Sequence, residues 1–121
     1  MILNKFNVPI NEQRLFLGPE LGLQRYDQFK YPVFFDLFNK QLQFFWRPEE
    51  ISLQKDRVDY QSLEEHEKHI FTSNLLFQTV MDSVVSRGVN SFSKYITSPE
   101  LEACFNVWQM FETLHSYSYT Y

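Results

Sequence analysis

The chain has 121 residues, of which 18% are aromatic and only three are glycine, and its net charge at neutral pH is −4. This length and aromatic content predict one folded domain with a packed core and argue against long disordered stretches. Lys and Arg form no blocks, so the sequence shows no basic patch of the kind that binds nucleic acid. We therefore expect no direct nucleic-acid partner.

No apolar run approaches the length of a membrane span, and the first residues lack the pattern of a signal peptide, so no membrane association is expected. The single cysteine, Cys104, can form no disulfide within the chain. This fits a reducing compartment, and we expect a cytoplasmic protein in which Cys104 is buried and inert.

The first 31 residues are expected to be irregular, because turn-forming residues recur there: Pro9, Gly18, Pro19 and Gly22. A helical domain should follow over residues 32–121, with its first helix over about 32–46. Pro32 suits the first helical position, and Pro48 should end the helix soon after Trp46. Residues 47–61 are charged and irregular in pattern, which predicts a connector with at most a short helical turn.

The second helix is expected over about 63–87, with Ser62 and Glu65 forming a capping box and Gly88 marking its end. One face carries Phe71, Leu75, Gln78, Asp82 and Val85. On these bounds Asp82 lies about one turn from the carboxyl end, where the helix dipole disfavours a negative charge. A salt bridge to Arg87 or to a neighbouring chain explains its position at least as well as a bound cation.

The third helix is expected over about 98–121, because Ser98 is a favourable cap and Pro99 a favourable first residue. Its predicted inner face consists of Leu101, Phe105, Trp108, Glu112, His115 and Tyr119. The last six residues, SYSYTY, contain no Gly, Pro or basic residue to end a helix. We therefore expect that further polypeptide normally follows Tyr121.

Spacings of three and four residues place Glu112, His115 and Tyr119 on one line of this helix. A buried, unpaired carboxylate is costly, so Glu112 on an inward face requires a cation, a proton or hydrogen-bond donors. Together with Asp82 the set offers two carboxylates and one imidazole, which suits iron or manganese better than zinc. The alternative is a solvent-facing Glu112 beside a histidine that makes one hydrogen bond.

Four-helix di-iron carboxylate proteins take one carboxylate from each of two helices and a Glu-x-x-His pair from each of the other two. This chain contains one such carboxylate, Asp82, and one Glu-x-x-His pair, Glu112 with His115. It also contains FFWRPEE at 44–50, EHEKHIF at 65–71 and FETLHSYSYTY at 111–121. On these motifs the chain, from about residue 18 to 121, resembles bacterial and phage forms of the small, radical-generating subunit of class I ribonucleotide reductase. The resemblance implies an all-α, ferritin-like di-iron carboxylate bundle, here incomplete and limited to its amino-terminal helices.

Carried over by position, the resemblance makes Asp82, Glu112 and His115 metal ligands and Tyr119 the tyrosine that becomes the radical. It makes Trp46 part of the electron route, although the default role of any tryptophan is core packing. The implied cofactor is two iron ions, with manganese as an alternative. The implied function is to supply the radical with which the large subunit reduces ribonucleoside diphosphates, and the implied partners are that large subunit, a carboxy-terminal small-subunit polypeptide and a second copy of the completed small subunit.

Two other interpretations stay open. The chain could be a non-catalytic, truncated helical module or gene remnant that pairs with an intact small subunit. A different ferritin-like oxidase accounts poorly for Trp46 and Tyr119 together. Two residues also depart from the family pattern, since Tyr117 stands where a basic residue is expected and Tyr121 where histidine is common. Extra phenols near a radical are candidate alternative oxidation sites. The chain alone is expected to be inactive.

Overall fold

The computed structural model describes residues 8–121. Over this range the chain forms no strand, only an isolated antiparallel bridge between Phe16 and Ile96. Its four α-helices are α1 (Pro32–Gln43), α2 (Gln54–Ser62), α3 (Glu65–Ser91) and α4 (Pro99–Ser118). The all-α prediction is confirmed. None of these helices combines the length and apolar character that crossing a bilayer requires.

Helix α4 lies between α1 and α3. It runs antiparallel to α3, because Ser86 meets Thr113, while Thr79, earlier in α3, meets Ser116, later in α4. The apolar side chains that are buried among residues 8–121 lie on this central helix, on α3 or in the connection between the two: Leu101, Val107, Phe111, Val89 and Ile96. The core is therefore small and centred on α4.

Helix α1 begins at Pro32 as predicted but ends at Gln43, before Trp46. The N–H groups of Phe44 and Phe45 donate to carbonyls three residues back, which tightens the final turn. The residue before Pro48 must be extended, and Arg47 has φ −120° and ψ 140°. The helix therefore unwinds earlier than its apolar spacing suggests, and Trp46 lies in the connector.

Helix α2 lies in the connector, where the sequence predicted at most a short turn of helix. All nine of its residues are exposed, so it has no buried stripe from which it could be recognised. Tyr60 attaches it to α3, since its ring lies 5.7 Å from that of Phe71 and its hydroxyl lies 3.1 Å from Thr72 Oγ1. A tertiary contact therefore stabilises this helix.

Both predicted ends of the second long helix were wrong. Ser62 ends α2, and the capping box of α3 uses Glu64 and Glu67 instead of Ser62 and Glu65. At the other end α3 passes through Gly88 and continues to Ser91. An interior glycine costs about 1 kcal/mol relative to alanine, but continuing the helix buries Val89, which is 4% exposed.

Helix α4 begins as predicted: the Ser98 hydroxyl accepts the N–H of Leu101 at 3.4 Å, and Pro99 is the first helical residue. Its predicted extension to 121 was wrong, because α4 ends at Ser118 and Tyr119 caps it. Side-chain hydroxyls satisfy carbonyls near this end, with Ser118 donating to Leu114 O at 2.6 Å and Thr120 to Tyr117 O at 2.7 Å. Serine and threonine therefore do here what Gly or a basic residue does at many helix ends.

The amino-terminal segment is described from residue 8, so the prediction for residues 1–7 lies outside the described range. Residues 8–31 contain one short 3₁₀ turn, Ile10–Glu12. Backbone hydrogen bonds of 2.9 Å join Leu17 N to Tyr95 O and Thr97 N to Leu15 O. These bonds attach the segment to the α3–α4 connection. The division of the chain into domains at residue 31 stays a prediction.

Cys104 lies on α4, where the Gln41 amide of α1 donates to its Sγ at 3.4 Å. It is half-buried, less than predicted. Burial raises the pKa of its thiol, and the bond from Gln41 offsets part of this increase. The thiol is therefore protonated at neutral pH, which fits an inert cysteine.

The side of α3 that faces away from α4 is strongly apolar. We define the outer face of α3 as six exposed side chains: Ile70, Leu76, Phe77, Val80, Met81 and Val84. A helix that is apolar on several sides is typical of the interior of a larger bundle, and an exposed patch of this kind is typical of an interaction surface.

Glu100 attaches the amino-terminal segment to the start of α4. It is 1% exposed, and its carboxylate accepts the Ser98 hydroxyl at 2.6 Å and the backbone N–H of Lys30 at 3.1 Å. Replacing Glu100 with alanine should lower the free energy of unfolding by about 3 kcal/mol, because the buried Ser98 hydroxyl and the half-buried Lys30 N–H then lose their acceptor. Urea unfolding measures this change.

Glu102→Ala is the matched control, because Glu102 lies in the same first turn and makes no side-chain hydrogen bond among residues 8–121. Its loss should cost less than about 1 kcal/mol, the usual size of a helix-dipole interaction. Equal costs for the two variants would show that the Glu100 hydrogen bonds contribute nothing specific.

Candidate metal centre

Asp82 of α3 meets Glu112 and His115 of α4 near the carboxyl end of α4. Each side chain offers one ligand atom, and these atoms all lie within 4.8 Å of one another. Nδ1 of His115 is 3.9 Å from Asp82 Oδ2 and 3.7 Å from Glu112 Oε2. The three side chains converge as the sequence predicted, while their role as ligands stays a prediction.

Local spacing and two contacts between helices produce this convergence. Glu112 and His115 are three residues apart, so they share one face of α4. Asp82 lies between two α3 residues whose hydroxyl or carbonyl meets α4. These contacts join Ser86 Oγ to Thr113 Oγ1 at 2.8 Å and Ser116 Oγ to Thr79 O at 2.8 Å. The register of the two helices is therefore set on both sides of the cluster.

The prediction that Asp82 lies about one turn from the end of its helix was wrong. Because α3 continues to Ser91, Asp82 lies nine residues, or about two and a half turns, before the helix end. Beyond the last turn the dipole has little effect. The alternative salt bridge to Arg87 was also wrong, since the ionic partner of Asp82 among residues 8–121 is His115.

The two carboxylates are largely removed from solvent. The side chains of Asp82 and Glu112 are 22% and 17% exposed, so the solvent-facing interpretation of Glu112 was wrong. Like charges at this separation repel unless a cation or proton compensates. Two carboxylate oxygens and one imidazole nitrogen form a hard, mixed donor set that fits iron or manganese. Three ligands occupy half of an octahedral shell.

Trp46 contacts the cluster from the connector after α1. Its ring lies 6.4 Å from the imidazole of His115, with 22° between the two planes. Phe111 lies on the imidazole as well, at 6.2 Å and 44°. Trp46 is only half-buried, so it packs beside His115 and not within the core.

Tyr119 follows the last turn of α4. Burial raises the pKa of its phenol, and the negative charges of Asp82 and Glu112 raise it further. The phenol therefore stays protonated well beyond neutral pH. Tyr119 and Tyr121 line one groove of about 900 Å³ between α2, α3 and the end of α4. Tyr117 lines a different depression beside Phe45.

The predicted inner face of α4 was only partly right. Leu101 is buried, but Trp108 is 40% exposed, and the buried positions farther along are Val107 and Phe111. This difference arises because α1 and α3 contact α4 from two sides, so that two stripes are packed. Sequence reasoning also missed the hydrogen bond from Trp108 Nε1 to Glu112 Oε1, at 2.7 Å, although their four-residue spacing permits it.

Comparison with known proteins identifies the family. A family model described as ribonucleotide reductase, small chain, matches residues 24–121. The chain belongs to this family. The ribonucleotide reductase small chains use two metal ions, iron or manganese, pair with a large subunit and form homodimers.

One relative and two solved structures show how far the similarity extends. The chain is 50% identical over 111 residues, or 91% of its length, to ribonucleoside-diphosphate reductase 1 subunit beta of Salmonella typhimurium. The ribonucleotide reductase R2 subunit from Clostridium botulinum has a TM-score of 0.83 at 31% identity, over 98% of this chain and 39% of that one. The dimanganese(II) NrdF structure from Streptococcus sanguinis has a TM-score of 0.77 at 25% identity, over 81% and 35%. The predicted ferritin-like fold is thereby confirmed.

The match covers only part of the length of these relatives. The chain spans about 30% of the length of the curated relatives it matches. The activity, substrates and partners of the longer proteins are therefore proposals for this chain.

Proposed function

We propose that this chain supplies the amino-terminal part of a ribonucleoside-diphosphate reductase small subunit. It contributes half of a di-iron site and the radical tyrosine, and further polypeptide, continuous with this chain or separate, contributes the rest. The observation that carries the proposal is the convergence of Asp82, Glu112 and His115 within 4.8 Å in a chain of this family.

In this proposal Asp82, Glu112 and His115 hold metal through two carboxylates and one imidazole. The donor set favours iron, with manganese as the alternative. The missing ligands are one more carboxylate and a second Glu-x-x-His pair from the other two helices of the four-helix pattern. Two iron ions held there would react with dioxygen, and this reaction would supply the oxidising power needed to remove an electron from a phenol.

Tyr119 is the phenol that loses this electron. Its raised pKa supports the assignment, because burial and the two nearby carboxylates keep the proton on Oη until oxidation. Trp46 is the electron donor on the route to the site, and its packing against His115 supports that role. The indole that carries the electron is therefore 6.4 Å from the imidazole of His115, which is a proposed metal ligand.

The radical is passed to a large subunit, which uses it to reduce ribonucleoside diphosphates to deoxyribonucleotides. The remaining partners are a carboxy-terminal small-subunit polypeptide and a second copy of the completed small subunit. The apolar outer face of α3 and the partly apolar groove beside Tyr119 support this assembly, since further helices can cover both. The site of action is the cytoplasm, or the host cytoplasm if a phage encodes the chain.

A reconstitution experiment tests the proposal. This chain is combined with the part of the Salmonella typhimurium subunit that lies beyond the matched segment, either by mixing or by direct fusion. Addition of ferrous iron and oxygen should produce a tyrosyl radical in electron paramagnetic resonance spectra. The Salmonella part alone should give none. A folded fusion that binds iron but stays silent contradicts the proposal.

The exposed outer face of α3 favours a second candidate function, a non-catalytic module that pairs with an intact small subunit. In that case replacing the ligand residues would leave pairing unchanged, whereas replacing Phe77 with glutamate would prevent it. Co-purification of the Phe77→Glu and His115→Ala variants with an intact subunit distinguishes the two functions. A module that pairs normally but yields no radical in any fusion supports the second candidate.

A further inference from the structure

Two aromatic rings contact the imidazole of His115. Phe111, about one turn earlier on α4, lies 6.2 Å from it between ring centres, with 44° between the planes. Trp46 of the connector lies 6.4 Å away, with 22° between the planes. Both distances are typical of packed aromatic pairs. The imidazole is therefore held by ring contacts from two separate parts of the chain.

Phe111 can hold a neighbouring ring because it is itself fixed in place. It is only 8% exposed. The ring of Phe45, the residue before Trp46, meets it edge-to-face at 6.4 Å, with 63° between the planes. Phe45 and Trp46 thus pack on two successive turns of α4, the first on Phe111 and the second on His115. Phe111 therefore links the end of α1 to the imidazole.

The direction of this imidazole matters because only one of its edges offers Nδ1. Nδ1 lies 3.9 Å from Asp82 Oδ2 and 3.7 Å from Glu112 Oε2, and these are the polar contacts of the ring among residues 8–121. Half a turn about the Cβ–Cγ bond would exchange Nδ1 with Cδ2, a carbon that binds no metal. This torsion is broad in histidine, so the side chain by itself fixes neither direction. Neighbouring groups must therefore select one.

We propose that Phe111 is a positioning residue for His115. Together with Trp46 it restricts rotation of the imidazole, so that Nδ1 stays on the side of Asp82 and Glu112. A side chain that is oriented before binding loses less rotational freedom when the metal binds. Groups that orient a metal ligand commonly change metal affinity by about 10- to 100-fold. The inference rests on the proposed metal-binding function.

Binding of Mn²⁺ to the full chain tests the inference, with the paramagnetic resonance signal of free Mn²⁺ as the measure. Phe111→Leu keeps an apolar side chain but removes the flat ring, and it should weaken binding by about tenfold. Phe111→Met, whose flexible side chain fills irregular space, should have the same effect if the leucine variant folds poorly. Phe38→Leu is the matched control, because Phe38 is a half-buried ring on α1 that packs on Phe35. It should leave binding unchanged, and unchanged binding by the Phe111 variants would overturn the inference.

A measurement without metal separates the orientation of the imidazole from the folding of the chain. In nuclear magnetic resonance spectra the ring protons of His115, which His115→Gln identifies by removing them, should show Overhauser contacts with the ring of Trp46. In the Phe111→Leu chain these contacts should weaken. Contacts between Ser86 and Thr113, which report the pairing of α3 with α4, should stay.

Contacts between His115 and Trp46 that persist unchanged in the Phe111→Leu chain would overturn the inference. A full chain that shows the ring contacts but takes up no Mn²⁺ supports the ring packing and contradicts the metal centre.

Discussion

Replacing Tyr119 with phenylalanine should abolish the tyrosyl radical of the reconstituted small subunit and leave its iron content unchanged. Phenylalanine keeps the ring but has no Oη from which a proton and an electron can leave together. The proposed ligand atoms belong to Asp82, Glu112 and His115, so metal uptake does not require the phenol. Paramagnetic resonance measures the radical, and metal analysis of the same sample measures the iron.

Two other tyrosines provide matched controls. Tyr121→Phe changes a phenol in the same groove as Tyr119, and Tyr117→Phe changes one in a different depression. Both variants should keep the radical. If Tyr119→Phe retained the signal and Tyr121→Phe lost it, the radical would have to be assigned to Tyr121. This comparison also tests whether the added phenols serve as alternative oxidation sites.

Asp82→Asn should separate metal binding from stability. Loss of a ligand should weaken metal binding by more than about 100-fold, the upper end of the effect of losing an outer-sphere partner. The metal-free chain should become more stable by about 1 kcal/mol at pH 8, because the change removes one of two like charges that lie close together.

Calorimetric titration with Mn²⁺ measures the first effect, and urea unfolding of the metal-free chain measures the second. Asp36→Asn is the control, since Asp36 is exposed on α1 and should change neither quantity. An Asp82→Asn chain that keeps its metal affinity and loses stability would identify Asp82 as a structural residue paired with His115.

The fold could be predicted where rules that act within a few residues decide the outcome. The starts of α1 and α4 followed from Pro32 and from Ser98 with its following proline, because capping depends on neighbouring backbone groups. Helix ends were predicted less well. Helix α3 continues through Gly88, and α4 ends at a place where the hydroxyls of Ser118 and Thr120 bond backbone carbonyls. A helix therefore ends where its last carbonyls find hydrogen-bond donors. The residue types at that place are only a weak guide to the end.

The candidate site, like the fold, could be predicted only where local spacing decides the arrangement. Spacing along α4 placed Glu112, His115 and Tyr119 on one line, because 3.6 residues per turn is a property of the backbone. The register of α3 against α4 decided that Asp82 meets His115 and not Arg87. The contact of Trp46 with His115 also depended on how the connector after α1 returns towards α4.

The sequence by itself therefore determined the helical class, two of the helix starts and the line of polar residues on α4, since each depends on local backbone geometry. Only the tertiary structure decided the existence of α2, the extension of α3 to Ser91 and the division of the Glu112 oxygens between Trp108 and the cluster. These features depend on contacts between residues that are distant in sequence or on the orientation of packed rings. Local patterns contain no information about which of several possible partners a side chain will meet.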